Sequence, residues 1–143
     1  MADTDFGSLK VLIVDDEAFM RTLIVRILSE IGISDVQTAR DGAEALRLIG
    51  ERNTVPNIII CDLEMPEMDG FEFVRRLRAN DSPVLQSLPV LIVTGHAEPA
   101  NVYDAVNAGI HGYLVKPISK KALEGRITAA LTSPPIDPAK VSR

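Results

Sequence analysis

The chain has 143 residues, 46% of them hydrophobic and 24% charged, which suits one folded domain and excludes a disordered tail or linker. Its 20 acidic against 15 basic residues give a net charge of −5, an argument against nucleic acid or anionic lipid as partner, and the single cysteine, Cys61, excludes an internal disulfide framework or a Cys-rich zinc site. No apolar run approaches the ~20 residues of a bilayer span, and Met1-Ala2-Asp3-Thr4-Asp5 lacks the basic start and apolar stretch of a secretory signal, so a cytoplasmic location without membrane insertion is expected.

Lys10–Val14 reads as a first strand. After it, Phe19, Met20, Leu23, Ile24, Ile27, Leu28 and Ile31 recur at helical steps, with Arg21, Thr22, Arg26 and Glu30 largely on the other side. Asp35–Thr38 is a second strand. Asp41 with Glu44 three residues later opens a second helix that runs to about Glu51. Asn57–Cys61 is a third strand, and Asp69 with Glu72 repeats the capping device for a third helix, to about Ala79. Arg75, Arg76 and Arg78 on that helix read as a solvated face. Pro89–Val93 is a fourth strand; Pro99 begins a fourth helix that Gly109 stops after Ala108. Gly112–Val115 is a fifth strand, with His111 a turn residue before it. A fifth helix spans about Ser119 to Leu131, with Ala122, Leu123, Ile127, Ala130 and Leu131 inward. The domain is expected over 8–132. The prolines at 134, 135 and 138 predict a frayed tail over 133–143.

Strict alternation of short strands and amphipathic helices predicts an α/β fold: a doubly wound parallel sheet of five strands with five helices on its two faces. The strands around Val11, Ile58 and Leu91 are apolar at successive positions, as burial on both faces requires. In such a sheet, binding groups gather beyond the carboxyl ends of the strands. Asp15 and Asp16 follow strand one, Asp62 follows strand three, Thr94 ends strand four, and Lys116 with Pro117 ends strand five. Each alone has an ordinary explanation: a helix cap, a loop acid, a β-branched strand residue, a solvated charge. Their coincidence at one sheet edge is what those explanations leave out. Clustered carboxylates raise one another's pKa, and a divalent cation removes the conflict. Oxygen ligands with room for water and phosphate suit Mg²⁺. A carboxylate can accept a phosphoryl group, with the metal, an ammonium and a hydroxyl neutralising the oxygens.

Five blocks carry a resemblance: Val11-Leu12-Ile13-Val14-Asp15-Asp16-Glu17, Asp41-Gly42-Ala43-Glu44-Ala45-Leu46, Cys61-Asp62-Leu63-Glu64-Met65-Pro66-Glu67-Met68-Asp69-Gly70, Leu91-Ile92-Val93-Thr94-Gly95, and Ala108-Gly109 through Gly112-Tyr113-Leu114-Val115-Lys116-Pro117. In order and spacing the chain resembles the receiver domain of two-component response regulators, the chemotaxis regulators among them. The resemblance implies a flavodoxin-like sheet of order 2-1-3-4-5. It also implies that Asp62 is the phosphoacceptor. Asp16 would bind Mg²⁺ directly, Asp15 mainly through water, and the backbone carbonyl of Glu64 would complete the ligands. Lys116 would pair with the phosphoryl oxygens, and Thr94 and Tyr113 would act as switch residues. The Lys116–Pro117 peptide would be cis. Glu64 and His96, two residues past Asp62 and Thr94, occupy places where the family tunes acyl-phosphate lifetime.

A stand-alone receiver is therefore expected, since no output domain fits outside 8–132. Its phosphoryl donor would be a histidine kinase or histidine phosphotransfer protein docking near the first helix, at Arg21, Thr22 and Val25. Its output would be a protein target, of unknown identity, at the face of helix four, strand five and helix five. It would catalyse only its own phosphorylation and dephosphorylation. Two alternatives share parts of this pattern. Haloacid-dehalogenase-type phosphatases also combine a strand-end Asp, Mg²⁺, Thr and Lys, but their nucleophile follows the first strand of the motif. A flavodoxin-like flavin binder shares the sheet, but this chain has no Trp, only Tyr103 and Tyr113 as tyrosines, and no Ser/Thr/Gly-rich loop after strand one.

Overall fold

A computed structural model describes residues 5–51, 55–95 and 98–141. Strands β1 (Lys10–Val14), β2 (Asp35–Ala39), β3 (Ile58–Cys61), β4 (Val90–Thr94) and β5 (Gly112–Val115) alternate with helices α1 (Ala18–Ile31), α2 (Gly42–Glu51), α3 (Gly70–Arg78), α5 (Pro99–Ala108) and α6 (Lys120–Thr132). An additional single-turn helix, α4 (Pro83–Gln86), lies between α3 and β4, so six helices rather than five are present among the described residues. Pro83 at its first position favours that turn, but four residues are too few to show a period. The strands pair in parallel in the order β2-β1-β3-β4-β5, as expected.

The continuous apolar runs have a direct cause. Successive side chains point to opposite faces. Val11, Ile13, Ile58, Ile60, Leu91 and Val93 enter one core with Ile24, Ile27 and Leu28 of α1 and Leu123, Ile127 and Ala130 of α6. Leu12, Val14, Ile59, Cys61, Val90 and Ile92 enter the other with residues of α2, α3 and α5. Both faces of the three central strands are thus covered, which fixes their register and with it the height of every residue at the sheet's carboxyl edge.

Four local expectations are corrected. Phe19 is 77% exposed and does not join the α1 stripe. It lies five residues from Ile24, about 140° round the helix. Arg21, expected on the outer face, is half-buried, and its guanidinium donates to the Asp15 carbonyl at 2.6 Å. Arg78 leaves the solvated face: it donates to the carbonyls of Gly109 at 2.7 and 3.0 Å and Gln86 at 3.1 Å. The tail is not frayed through 141. Ile136 N–H donates to the Ile110 carbonyl at 3.0 Å, and a 3₁₀ turn follows at Pro138–Lys140, capped by the Asp137 side chain.

His111 is a turn residue with a specific task. Its N–H donates to the Val90 carbonyl at 2.8 Å, while its Nδ1 accepts from Val90 N–H at 3.2 Å. Burial and the nearby Arg78 push its pKa down to about 4, which keeps the accepting nitrogen unprotonated.

Candidate functional site

The site is built by the ladder before any side chain contributes. Asp15 N–H donates to the Ala39 carbonyl at 3.1 Å and Asp62 N–H to the Val14 carbonyl at 2.9 Å, carrying the sheet hydrogen bonds one residue past β1 and β3. Lys116 N–H donates to the Thr94 carbonyl at 2.8 Å and does the same past β5. Asp15, Asp62, Thr94 and Lys116 therefore sit level at one edge, and the Lys116–Pro117 peptide there is cis.

Asp15, Asp62 and Thr94 are buried, and Asp16 is exposed. Carboxylate oxygens of Asp15, Asp16 and Asp62 lie within 4.8 Å of one another. Lys116 reaches across the group, its Nζ 3.4 Å from an oxygen of Asp15, 3.4 Å from one of Asp62 and 3.6 Å from one of Glu17. The second oxygens are held from the main chain: Asp15 Oδ1 accepts from Glu17 N–H at 2.9 Å and Asp62 Oδ1 from Glu64 N–H at 3.3 Å. Asp16, Glu17, Asp62, Glu64, Gly95 and Lys116 line an open cleft of about 380 Å³.

The electrostatics of the group follow from one ammonium facing two buried carboxylates. Burial raises the pKa of Asp15 against the lowering pull of Glu17 N–H and Lys116. Burial, then the Asp15 charge, raises that of Asp62, again against Lys116. Burial disfavours the Lys116 ammonium, but the combined attraction of Asp62 and Asp15 outweighs it and its pKa is raised. Burial also pushes the Cys61 thiol well up, so it is a core group rather than a nucleophile.

Of the residues singled out in the sequence, Asp15, Asp16, Asp62, Glu64, Thr94 and Lys116 come together at this edge. Tyr113 is half-buried on β5, away from the cleft lining. His96 lies outside the described residues. Three contributors escaped the sequence reading. Glu17 and Arg21 fix Asp15 from either side, and adjacency to the acidic pair was the only available signal for them. Gly70 is the third. A Cβ there would land on the Asp62 carbonyl oxygen and come within 2.8 Å of Leu63 Cα, so only glycine lets α3 start this close to the β3–α3 loop. Gly70 N–H completes that approach by donating to the Leu63 carbonyl at 2.9 Å.

The family described as the response regulator receiver domain matches residues 11–128. The chain belongs to this family. The receiver is 36% identical over 119 residues to chemotaxis protein CheY of Pseudomonas aeruginosa, a match covering 83% of this chain and 93% of the relative. It is 33% identical over 123 residues to chemotaxis protein CheY1 of Helicobacter pylori, covering 86% and 97%. Among solved structures it superposes on CheY4 of Vibrio cholerae with a TM-score of 0.77 at 33% identity, covering 86% of this chain and 98% of that one. It also superposes on the receiver domain of a signal transduction histidine kinase from Syntrophus aciditrophicus, with a TM-score of 0.76 at 29% identity and coverage of 91% and 98%. The receiver is thus a two-component signalling protein that accepts a phosphoryl group, and the phosphatase alternative has no support. No helix among the described residues is long and apolar enough to cross a membrane.

Proposed function

We propose that Asp62 is the phosphoacceptor of this receiver and that Mg²⁺ binds beside it. The observation that carries this reading is the convergence of Asp15, Asp16 and Asp62 oxygens within 4.8 Å, with Lys116 bonded to both buried carboxylates. The donor set is all oxygen, two of its members carry raised pKa values, and Asp16 opens it to solvent, all of which fits a hard divalent ion that keeps part of its water. Asp16 would bind the metal directly, with Asp15 mainly through water and the Glu64 carbonyl completing the protein ligands. Bound there, the metal supplies charge neutralisation at the phosphoryl oxygens.

An Asp62 oxygen forms the new P–O bond as the P–N bond of a donor phosphohistidine breaks, and the imidazole leaves with the electron pair. Lys116, already 3.4 Å from Asp62, turns its ammonium from carboxylate to phosphoryl oxygen. The Thr94 hydroxyl moves toward the phosphoryl group. Tyr113 turns inward behind it, and the α5–β5–α6 face changes population. That face then binds or releases a protein target. The donor, a histidine kinase or phosphotransfer protein, docks on α1, where Thr22 is exposed, Val25 is 37% exposed and Phe19 adds exposed apolar surface. Glu64, exposed on the cleft wall, and His96 tune hydrolysis of the acyl phosphate. The receiver acts as a cytoplasmic signalling protein, with no reaction beyond gain and loss of its own phosphoryl group.

Asp62→Asn tests the assignment. Labelling by acetyl phosphate or phosphoramidate with Mg²⁺ is expected to vanish. Undiminished labelling would move the acceptor elsewhere.

A further inference from the structure

The connection between α5 and β5 is held from three directions. From α3, the Arg78 guanidinium donates twice to the Gly109 carbonyl, at 2.7 and 3.0 Å. From β4, Val90 and His111 exchange two hydrogen bonds. From beyond α6, Ile136 N–H donates to the Ile110 carbonyl at 3.0 Å. The first two clamps lie within residues 11–128 that match the receiver family, whereas the third comes from outside them.

That third clamp is a built element. After Thr132 the chain crosses from the α1–α6 side of the sheet to the other, where Ile136 and Val141 pack against the core that contains Val102, Ala105 and Val106 of α5. The turn Pro138–Lys140 lies against α5. Asp137 caps the turn by accepting from Ala139 N–H at 2.9 Å, and Pro134, Pro135 and Pro138 restrict the unfolded freedom of the segment. β5 is the last strand of the sheet among the described residues, and the Ile136 bond is made to Ile110, two residues before it begins.

A helix fastened at one end pivots about that end. The opposite end of α5 follows Thr94 and Gly95, at the phosphoacceptor edge. Any displacement that carries the C-terminal end of α5 must therefore work against the clamps at residues 109–111, and of these only the one from 133–141 lies outside the residues that match the family.

We propose that residues 133–141 form an autoregulatory strap, which pins the C-terminal pivot of α5 through Ile136 and holds the domain in its unphosphorylated arrangement. The inference rests on the Asp62 reading above and adds a restraint to it. By linkage, phosphoryl-site occupancy and strap release promote each other by the same factor.

The test uses beryllofluoride with Mg²⁺ as the acyl-phosphate mimic on the full chain. In Ile136→Asp, calorimetry should show beryllofluoride bound about fivefold tighter or more, with affinity for Mg²⁺ alone unchanged. A reciprocal measurement needs no variant: hydrogen-exchange protection of the Ile136 amide in the native chain should fall when beryllofluoride is bound. Equal beryllofluoride affinity in native and Ile136→Asp chains, or Ile136 protection unaltered by a saturating mimic, would overturn the strap while leaving Asp62 as acceptor. Failure of the native chain to bind the mimic at all would overturn the Asp62 reading, and the strap with it.

Discussion

Asp62→Asn should make the protein more stable, not less, when no divalent ion is present. Two carboxylates at the outer separation of 4.8 Å repel by about 3.5 kcal/mol at an effective dielectric constant near 20. Lys116, at 3.4 Å from Asp62, returns about 5 kcal/mol of attraction on the same scale. Burial of the Asp62 charge adds a penalty of several kcal/mol. Attraction thus loses to repulsion plus burial, in agreement with the raised pKa of Asp62. The amide removes all three contributions and leaves Lys116 with one buried carboxylate, Asp15, and the exposed Glu17, instead of two buried anions on one cation. The net gain should be about 1–2 kcal/mol at pH 7. The chain has no Trp, so the assay is urea unfolding by far-ultraviolet circular dichroism, in chelator and in Mg²⁺. The sign with pH is determined. The folded pKa of Asp62 lies above its unfolded value, so its charge costs stability at neutral pH and the cost disappears as pH falls through the folded pKa. The advantage of the variant should therefore shrink on acidification. It should also shrink with Mg²⁺, which stabilises the native chain by RT ln(1 + [L]/Kd) and the variant less. An Asp62→Asn protein less stable than the native chain in chelator at pH 7, or an advantage that grows toward acid, would refute the reasoning.

Gly70→Ala should lose about 1–3 kcal/mol in the same unfolding assay despite the better helix propensity of Ala, because the new methyl overlaps the Asp62 carbonyl; a neutral result would show that α3 can retreat freely. Acetyl phosphate labelling should slow with it, since the displaced atoms belong to Asp62, the proposed acceptor. His111 has its pKa lowered to about 4 by burial and Arg78, so its contribution is complete above its unfolded value near 6.5 and is lost as pH falls through about 4. The ring is half-exposed, which discounts the effect to about 1–2 kcal/mol. The stability difference between native and His111→Gln should vary across that window, and a flat difference from pH 7 to 4 would contradict it. Glu67 holds φ of 66°, a region that disfavours most L-residues, so Glu67→Asn should stabilise by about 0.5–1 kcal/mol as read by the thermal midpoint.

The parts of this protein legible from its sequence are those whose position depends on one strand and its immediate sequel. Val11–Val14 and Ile58–Cys61 are apolar without a gap because both sheet faces are covered. A buried parallel strand with an acid directly after it delivers that acid to a known edge. This is why Asp15, Asp16, Asp62, Thr94 and Lys116 could be gathered before any coordinates. What stayed hidden depends on partners far along the chain. Arg78 is indistinguishable from Arg75 and Arg76 in a local window; it differs because Gly109, 31 residues on, ends a helix within its reach. Ile136 sits among prolines that signal only an end of regular structure, and its place is set by the Ile110 carbonyl in the connection between α5 and β5. Phe19 matched the apolar period yet faces solvent, because Ile24, Ile27 and Leu28 set the buried direction of α1.

These hidden features share a location. Arg78, His111 and Ile136 all act on residues 109–111, at the opposite end of α5 from the acidic cleft. The local patterns locate the chemistry, while the long-range contacts locate what restrains the helix that would report it. The two need not be matched in strength. On the proposed reading, acyl-phosphate charge would act on Thr94 and Lys116 at one end and the clamps at the other, so the position of α5 would be set by their difference. Changing a clamp should shift that balance without touching a single ligand of the phosphoryl group.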